Sequence, residues 1–318
     1  MNLLLTGGTG FFGKALLRHW QAAPSGVLVT VLSRNPEIFL AQHPEFAQLP
    51  WLRFHKGDIL DPASLPATAS YTHLLHAAAD STLGPQLTPL QRYTQIVDGT
   101  RHLLEYAAMH GIPRFLLASS GGVYGAQPQA LAQIPEDYNG MPDPLNAQNA
   151  YSIAKRCAEH LCALYAQQHG IQAVVARCFT FVGRDLPLDV HFAIGNFIRD
   201  ALHHPCITVS GDGSPIRSYM DQRDLARWLD VLLRDGRAGH AYNVGSDAAV
   251  SIAELAHQVR DLLAPDKPVH IAGTANTGNP IHRYVPRISK ARRELGLTLG
   301  YTLQDAVRET VRHLEVPR

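Results

Sequence analysis

The stretch Leu3-Leu4-Leu5-Thr6-Gly7-Gly8-Thr9-Gly10-Phe11-Phe12-Gly13 restricts the fold more than any other part of this chain. Residues 2 to 5 are apolar after the first, as in a strand buried on both faces of a parallel sheet. Gly7, Gly10 and Gly13 then recur every third residue. That spacing lets the backbone turn tightly, approach a phosphate with no Cβ in the way, and pack a new helix close to the sheet. The N–H groups at the helix start and the positive end of its dipole make an anion site suited to a pyrophosphate. A dinucleotide is therefore expected at Gly7, Gly10, Phe11, Phe12 and Gly13.

With 318 residues the chain has the length of one large or two medium domains with a full core. A net charge of +1, without a basic block, implies neither a nucleic acid nor a membrane surface as partner. No apolar run reaches the roughly 18 residues of a membrane span, and the chain enters a strand with no signal-peptide layout. A cytoplasmic location is the expectation. The four cysteines, Cys157, Cys162, Cys178 and Cys206, form no CxxC pair, which fits reduced thiols better than disulfides. Among the 17 histidines, His73 with His76 and His203 beside His204 lack a cysteine or carboxylate at ligand spacing, so no metal is expected.

Taken in order, the chain alternates strand and helix up to residue 177. A helix over 14 to 20 ends near Pro24, and a strand over 27 to 32 stops at Ser33-Arg34. A carboxylate at that place would accept a bond from a ribose 2′-hydroxyl, whereas an arginine suits a 2′-phosphate. Ser33 removes the carboxylate and Arg34 supplies the cation, which favours NADP(H) and leaves NAD(H) possible. A strand over 52 to 54 precedes Asp58 and Ile59, where Asp58 is either a partner for the adenine edge or a turn residue. A strand over 72 to 75 runs into Ala77 and Ala78, small enough for a cofactor to lie against the strand end. Further come a helix over 91 to 110, a strand over 114 to 119, a helix over 150 to 169 capped by Gly170, and a strand over 173 to 177.

Beyond residue 177 the elements are mixed, with helices over 191 to 202 and 221 to 234 and short strands over 207 to 210 and 242 to 244. Ser251 with Glu254 and Thr302 with Asp305 form capping boxes for two more helices. The pattern predicts an α/β protein: a Rossmann-type, doubly wound parallel sheet over residues 1–177 carrying the catalytic residues, and a smaller C-terminal substrate-binding lobe over 178–318.

Chemistry concentrates after the fifth strand. Ser120 stands at a strand's carboxyl end, where ligands bind in such sheets. Tyr151 and Lys155, four residues apart, share one helical face. A phenol titrates near 10, so work as a base at neutral pH requires about 4 kcal/mol of differential stabilisation. Lys155 would supply part of it, a cationic nicotinamide more, and Ser120 would align the reacting oxygen. Such a relay moves a proton while a nicotinamide cofactor moves a hydride.

Thr6 to Gly13, Ser120 before Val123-Tyr124-Gly125, and Tyr151 with Lys155 together resemble the extended short-chain dehydrogenase/reductase family, the NAD-dependent epimerase/dehydratase group above all. The likeness also takes in Gly211-Asp212-Gly213, Arg217-Ser218-Tyr219 and the run from Ser289 to Gly296. It implies that Tyr151 is the catalytic acid or base, that Lys155 binds the nicotinamide ribose, and that Ser120 with Gly121 meets the sugar. By the same resemblance Thr180, Asn196 and Arg217 fall where the substrate diphosphate or its nucleoside is held. Three positions depart from the pattern. Gly121 and Gly122 stand where 4,6-dehydratases carry an acid pair, which argues against water elimination. Ile96 replaces an asparagine three residues before Gly99-Thr100, and Thr180 replaces the asparagine expected after Phe179.

The resemblance thus implies an enzyme acting at carbon 4 of a nucleotide-diphosphate sugar, with an NDP-4-keto-(6-deoxy)hexose 4-ketoreductase favoured by Arg34. A 4-epimerase of the same family is the alternative. Other readings are a non-catalytic NAD(P)-binding sensor or scaffold and a reductase of non-nucleotide ketones. The helices over 91 to 110 and 150 to 169 are apolar beyond one stripe, and the family likeness implies a homodimer through them.

Overall fold

The structure, a computed structural model, describes residues 1–23, 26–67, 70–79, 87–190, 192–274 and 280–314. In chain order the regular elements are β1 (Asn2–Thr6), α1 (Phe11–Ala22), β2 (Leu28–Ser33), α2 (Pro36–Gln42), β3 (Leu52–Lys56), β4 (His73–His76), α3 (Pro89–Met109), β5 (Arg114–Ser120), α4 (Ala150–His169) and β6 (Gln172–Cys178). They continue with β7 (Phe181–Val182), α5 (Ala193–His203), β8 (Ile207–Val209), β9 (Ile216–Arg217), β10 (Met220–Asp221), α6 (Gln222–Asp235) and β11 (Ala241–Val244). Last are β12 (Val250–Ser251), α7 (Ile252–Leu263), β13 (Val269–Ile271), β14 (Arg283–Tyr284), α8 (Ser289–Leu295) and α9 (Leu303–Leu314).

The main sheet has seven strands in the order β11-β6-β5-β4-β1-β2-β3. Strands β3, β2, β1, β4, β5 and β6 pair in parallel, so their carboxyl ends share one edge. This is the expected doubly wound arrangement, with its order reversing beside β1 and β4. The leucines of β1 and every residue of β5 are buried, as the unbroken apolar runs require. On α3, Ile96, Gly99, Thr100, Leu103, Leu104 and Ala107 form one stripe of three- and four-residue spacing. That stripe shares a core with Leu4, Leu74, Phe115 and Leu117 of the sheet and with Ala154, Ala158 and Cys162 of α4.

Helix limits follow local chemistry. Thr88 and Gln91 form a capping box that starts α3 at Pro89, and Gly170 ends α4 with φ of +70°. The boxes foreseen at Ser251 with Glu254 and at Thr302 with Asp305 are both formed. Helix α1 starts three residues before the expected limit, at Phe11, directly on the glycine turn. The helix expected over 191 to 202 runs over Ala193–His203, and His191, like Pro24, lies outside the described residues. The two-residue strands β7, β9, β10, β12 and β14 were not foreseen, since pairs of residues carry no periodicity to read.

The chain divides into two compact units, and neither is continuous in sequence. The first comprises Met1–Gly125, Gly140–Cys178 and Ala226–Tyr242; the second comprises Ala126–Asn139, Phe179–Leu225 and Asn243–Arg318. The sequence boundary at 177 was drawn as a single cut, whereas the chain returns to the first unit for residues 226–242. Physical anchors explain that return. Arg114, 8% exposed, donates from Nε to Leu233 O at 2.7 Å, from Nη2 to Leu232 O at 3.2 Å, and from Nη2 to Gly236 O. Leu232 O also accepts from Gly236 N at 3.1 Å, and the guanidinium suits these carbonyls at the α6 end together with the negative end of the dipole. Trp20 Nε1 donates to Asp230 Oδ1 at 3.0 Å from the other side.

In the second unit β8 pairs with β13 and β7 with β10, both in parallel, while β9 lies between antiparallel β12 and parallel β14. Asp224 is fully buried and accepts from the backbone N–H of Gly300 at 2.8 Å and Tyr301 at 3.1 Å. Among the described residues, no helix is long and apolar enough to cross a membrane.

Replacing the buried Arg114 by methionine removes the donors from three carbonyls at once. The Arg114→Met protein is expected to lose about 3 kcal/mol, read as a lower urea midpoint at unchanged slope. An unchanged midpoint would show that this anchor contributes nothing.

Candidate active site

The glycine turn is built around a close approach between two strand ends. Gly7 has φ of +74°, and a Cβ there would lie 2.6 Å from the carbonyl carbon and oxygen of Ala77 and 2.7 Å from Ala78 N. A Cβ on Gly13 would fall 2.2 Å from Gly8 Cα, so α1 packs directly on the turn. Gly10 is the N-cap of α1, offers no side-chain cap, and no carboxylate occupies the first turn. Phe11 and Phe12 follow it with ring centroids 6.1 Å apart. A helix start left electropositive beside a cradle that a Cβ would fill suits a cofactor pyrophosphate.

The neighbouring strand ends complete this edge. Ser33 closes β2; its Oγ accepts from Asn35 N at 3.4 Å and its carbonyl accepts from Gly57 N at 3.0 Å. Arg34 is exposed beyond it. Asp58 Oδ1 accepts from Leu60 N at 2.9 Å, the bond of an Asx turn. Ile59 is buried, and its side chain fills the space beside Gly99 on α3. At the end of β4, His76 Nδ1 lies 2.8 Å from Thr6 Oγ1, and complete burial pushes the imidazole down to about 3, so it is neutral.

Strand β5 and helix α4 meet through three consecutive strand residues. Lys155 Nζ donates to Ala118 O at 2.7 Å. Ser119 Oγ donates to Glu159 Oε1 at 2.6 Å, and Ser120 is hydrogen-bonded to the Tyr151 hydroxyl. Because 151, 155 and 159 are spaced by four, they rise along one face of α4. From β6, Arg177 grips both oxygens of Glu159, with Nη2 to Oε2 at 2.8 Å, and lies 4.7 Å from the Tyr124 ring centroid. Ser120 Oγ also accepts from Gly122 N at 3.1 Å. A Cβ on Gly122 would come within 2.6 Å of Ser152 Oγ, so an acidic side chain there has no room unless Ser152 moves.

Burial pushes the Tyr151 phenol up to about 12, while the Ser120 hydrogen bond and the Arg92 charge on α3 act to lower it. Lys155 was expected to do that lowering. Instead its ammonium group is turned to the Ala118 carbonyl, and burial holds it down to about 8 against the opposing pull of Cys178 and Glu159. Cys178 ends β6 beside this pair, its own thiol pushed up to about 12 by burial. The arrangement can hold a proton on a phenol, lend it to an adjacent oxygen, and align that oxygen through Ser120.

Two groups of expected site residues are distributed between the units. Gly7, Gly10, Gly13, Ser33, Arg34, Asp58, Ile59, Ala77, Ala78, Ser120, Gly121, Tyr151 and Lys155 belong to the first. Thr180, Asn196 and Arg217 belong to the second. There, Thr180 O accepts from Met220 N at 3.0 Å, Asn196 Oδ1 accepts from Arg199 Nη1 at 3.3 Å, and Arg217 Nη1 donates to Ile216 O and His282 O. Sequence reasoning passed over Cys178, which lies close enough to act on both Tyr151 and Lys155.

A dinucleotide cradle at the reversal point of a parallel sheet, with a tyrosine, lysine and serine grouped at the next strand end, defines a nicotinamide-dependent oxidoreductase scaffold. Residues 3–245 match the NAD dependent epimerase/dehydratase family, and the chain belongs to that family of enzymes. UDP-glucuronic acid decarboxylase 6 of Arabidopsis thaliana is 31% identical over 302 residues, covering 93% of this chain and 83% of that protein. dTDP-glucose 4,6-dehydratase of Streptomyces griseus is 28% identical over 98% of this chain and 93% of its own. The crystal structure of a dTDP-glucose 4,6-dehydratase from Streptomyces venezuelae with NAD bound superposes with a TM-score of 0.83 at 26% identity, covering 98% and 96% of the two chains.

Lys155 gives a pH-dependent prediction. Its folded value near 8 lies below the ordinary 10.5, so the fold binds fewer protons than the unfolded chain between these limits. The burial cost is complete below about 8 and relieved as pH rises. Relative to Lys155→Met, the unsubstituted protein should therefore gain stability from pH 8 to 10.5, by at most on the order of 3 kcal/mol. A gap that stays constant in thermal unfolding across this range would contradict the assignment.

Proposed function

We propose that this protein is an NAD(P)-dependent oxidoreductase acting at carbon 4 of a nucleotide-diphosphate sugar, and that it reduces a 4-keto sugar. The observation that carries the reading is the hydroxyl pair of Tyr151 and Ser120 at the end of β5, with Lys155 anchored to Ala118, two strand residues earlier. A bound nicotinamide cofactor would supply the hydride. Tyr151 gives its proton to the carbonyl oxygen as that oxygen becomes a hydroxyl, and Ser120 holds the same oxygen in line. Lys155 binds the cofactor ribose. Gly7, Gly10, Phe11, Phe12 and Gly13 hold its pyrophosphate, with Ala77 and Ala78 alongside.

Several features support the finer points. Arg34 at the end of β2, with Ser33 in place of a carboxylate, favours NADP(H) over the NAD seen with the Streptomyces venezuelae structure. The crowded Gly122 weighs against dehydration, although relatives bear that name. Thr180, Asn196 and Arg217 assign the nucleotide-sugar grip to the second unit, where an arginine meets phosphate oxygens in pairs. A 4-epimerase, passing the hydride out and back on a sugar that turns over in between, is the second reading. It uses the same three catalytic residues. The four free cysteines suit a reducing, cytoplasmic setting.

The assay that tests this mixes the protein with a 4-keto sugar nucleotide and NADPH or NADH. Stoichiometric loss of the reduced nicotinamide's absorbance, faster with NADPH, is expected; no loss with either cofactor excludes the reductase. Tyr151→Phe should lower kcat about a thousandfold while cofactor binding persists. An unaffected rate would leave Tyr151 outside the chemistry, and absence of turnover on any nucleotide sugar would return the protein to the sensor or scaffold reading.

We further propose a homodimer through α3 and α4, whose outer faces show Leu90, Met109 and Leu164 to solvent. Light scattering at micromolar concentration should give twice the chain mass, and a monomer mass refutes the dimer.

A further inference from the structure

The carboxyl ends of β2 and β3 hold a lysine that the reading above leaves unused. The two strands pair in parallel, with Val31 level with Phe54, Leu32 with His55 and Ser33 with Lys56. The ladder continues past the last pair, since Gly57 N donates to Ser33 O at 3.0 Å. On the other side of β2, Thr6 is level with Leu32, so the glycine turn leaves β1 at the height where Ser33 ends β2. The ends of three neighbouring strands, about 4.8 Å apart, are thus aligned.

Faces follow from the same register. A Cβ on Gly8 would lie 2.6 Å from Val31 Cγ1, so the Val31 side chain packs against the glycine turn. Ser33, two residues further along β2, projects from that face, and Lys56, its lateral partner, projects from it too. The opposite face is closed at this level: a Cβ on Gly57 would meet Ser64 O at 2.5 Å and Leu32 Cδ1 at 2.8 Å, and His55 Nε2 lies 3.0 Å from Ser64 O. Ser33 is half-buried, while Lys56 and Arg34 are exposed. Ser33 Oγ accepts from Asn35 N at 3.4 Å, and a hydroxyl that accepts there keeps its own hydrogen to donate. Such groups suit a phosphate monoester, which carries a charge of about −1.5 to −2 at neutral pH and three acceptor oxygens. A planar guanidinium meets two of these oxygens, an ammonium group adds a point charge, and a hydroxyl donates to a third. A plain ribose hydroxyl gives neither cation anything to neutralise.

We propose that Lys56 is a second determinant of cofactor choice: from the end of β3 it joins Ser33 and Arg34 in holding a phosphate on the 2′-oxygen of the adenosine ribose, which selects NADP(H) over NAD(H). This rests on the reading of Gly7 to Gly13 as the cofactor's cradle and of Arg34 as a cation for the 2′-phosphate. To that reading it adds a charge from the next strand, which only the pairing of β2 with β3 brings alongside. All three residues lie in the first unit, on the same edge as the glycine turn.

Titration calorimetry with 2′,5′-ADP and 5′-ADP tests this on two ligands that differ only in the 2′-phosphate and carry no nicotinamide. The unsubstituted protein should bind 2′,5′-ADP more tightly. Lys56→Gln should raise the Kd for 2′,5′-ADP and for NADP+ about tenfold, while the Kd for 5′-ADP and NAD+ changes by less than about twofold. Lys56→Arg should keep the preference, because the charge is kept. A loss shared equally by all four ligands overturns the proposal, since it would make Lys56 a contributor to the fold or to the general field. An unchanged Kd for 2′,5′-ADP in Lys56→Gln overturns it as well. If Arg34→Gln abolishes the preference while Lys56→Gln leaves it intact, the reading of Arg34 stands and Lys56 alone is excluded. Equal affinity of the unsubstituted protein for 2′,5′-ADP and 5′-ADP would instead sink the NADP(H) reading and the proposal with it. Binding of neither nucleotide would sink the cradle itself, which keeps the failures distinguishable.

Discussion

The end of β5 carries the arrangement on which the site depends. Three successive residues each make a hydrogen bond with the same face of α4: the carbonyl of 118 accepts from Lys155, the hydroxyl of 119 donates to Glu159, and the hydroxyl of 120 pairs with that of Tyr151. A strand advances about 3.3 Å per residue, and a helix about 6 Å per four residues. Such a match holds only if the helix crosses the strand end at one height and rotation. Arg177 on β6 adds a second strand to the grip through Glu159. The hydroxyls of Ser120 and Tyr151 are thereby set by the register of a buried parallel sheet and not by a loop.

Electrostatics in this region follow from burial more than from pairing. Lysine, tyrosine, histidine and cysteine are all pushed toward their neutral forms by the same desolvation. Few groups near Tyr151 stay charged at neutral pH, so each remaining charge weighs heavily in a medium that screens poorly. The buried ammonium group is bonded to a carbonyl that satisfies one of its donors.

Much of the first unit was legible in the sequence because its signals are local. The glycine turn, the apolar strands, the alternation to residue 177 and the Tyr151 to Lys155 spacing are all set by neighbours within a few residues. The partner of Lys155 was not legible, since it depends on which carbonyl lies across a helix and strand pairing. Of the two readings of Asp58, the turn is visible here in one backbone bond, from Leu60 N, and the adenine edge depends on a bound cofactor. The second unit was read least well, because strands of two residues leave no period and its segments are scattered along the chain.

The anchoring of Arg114 bears on how the chain is assembled in time. The sheet's guanidinium meets its carbonyl acceptors only in residues that follow it by more than a hundred positions. A nascent chain that has emerged through β6 still lacks the carbonyls that meet this guanidinium and keeps an uncovered sheet edge. The first unit is therefore complete only when residues 226–242 have joined it. Its completion waits on α6 and β11, and a prefix of this protein is not a smaller version of it.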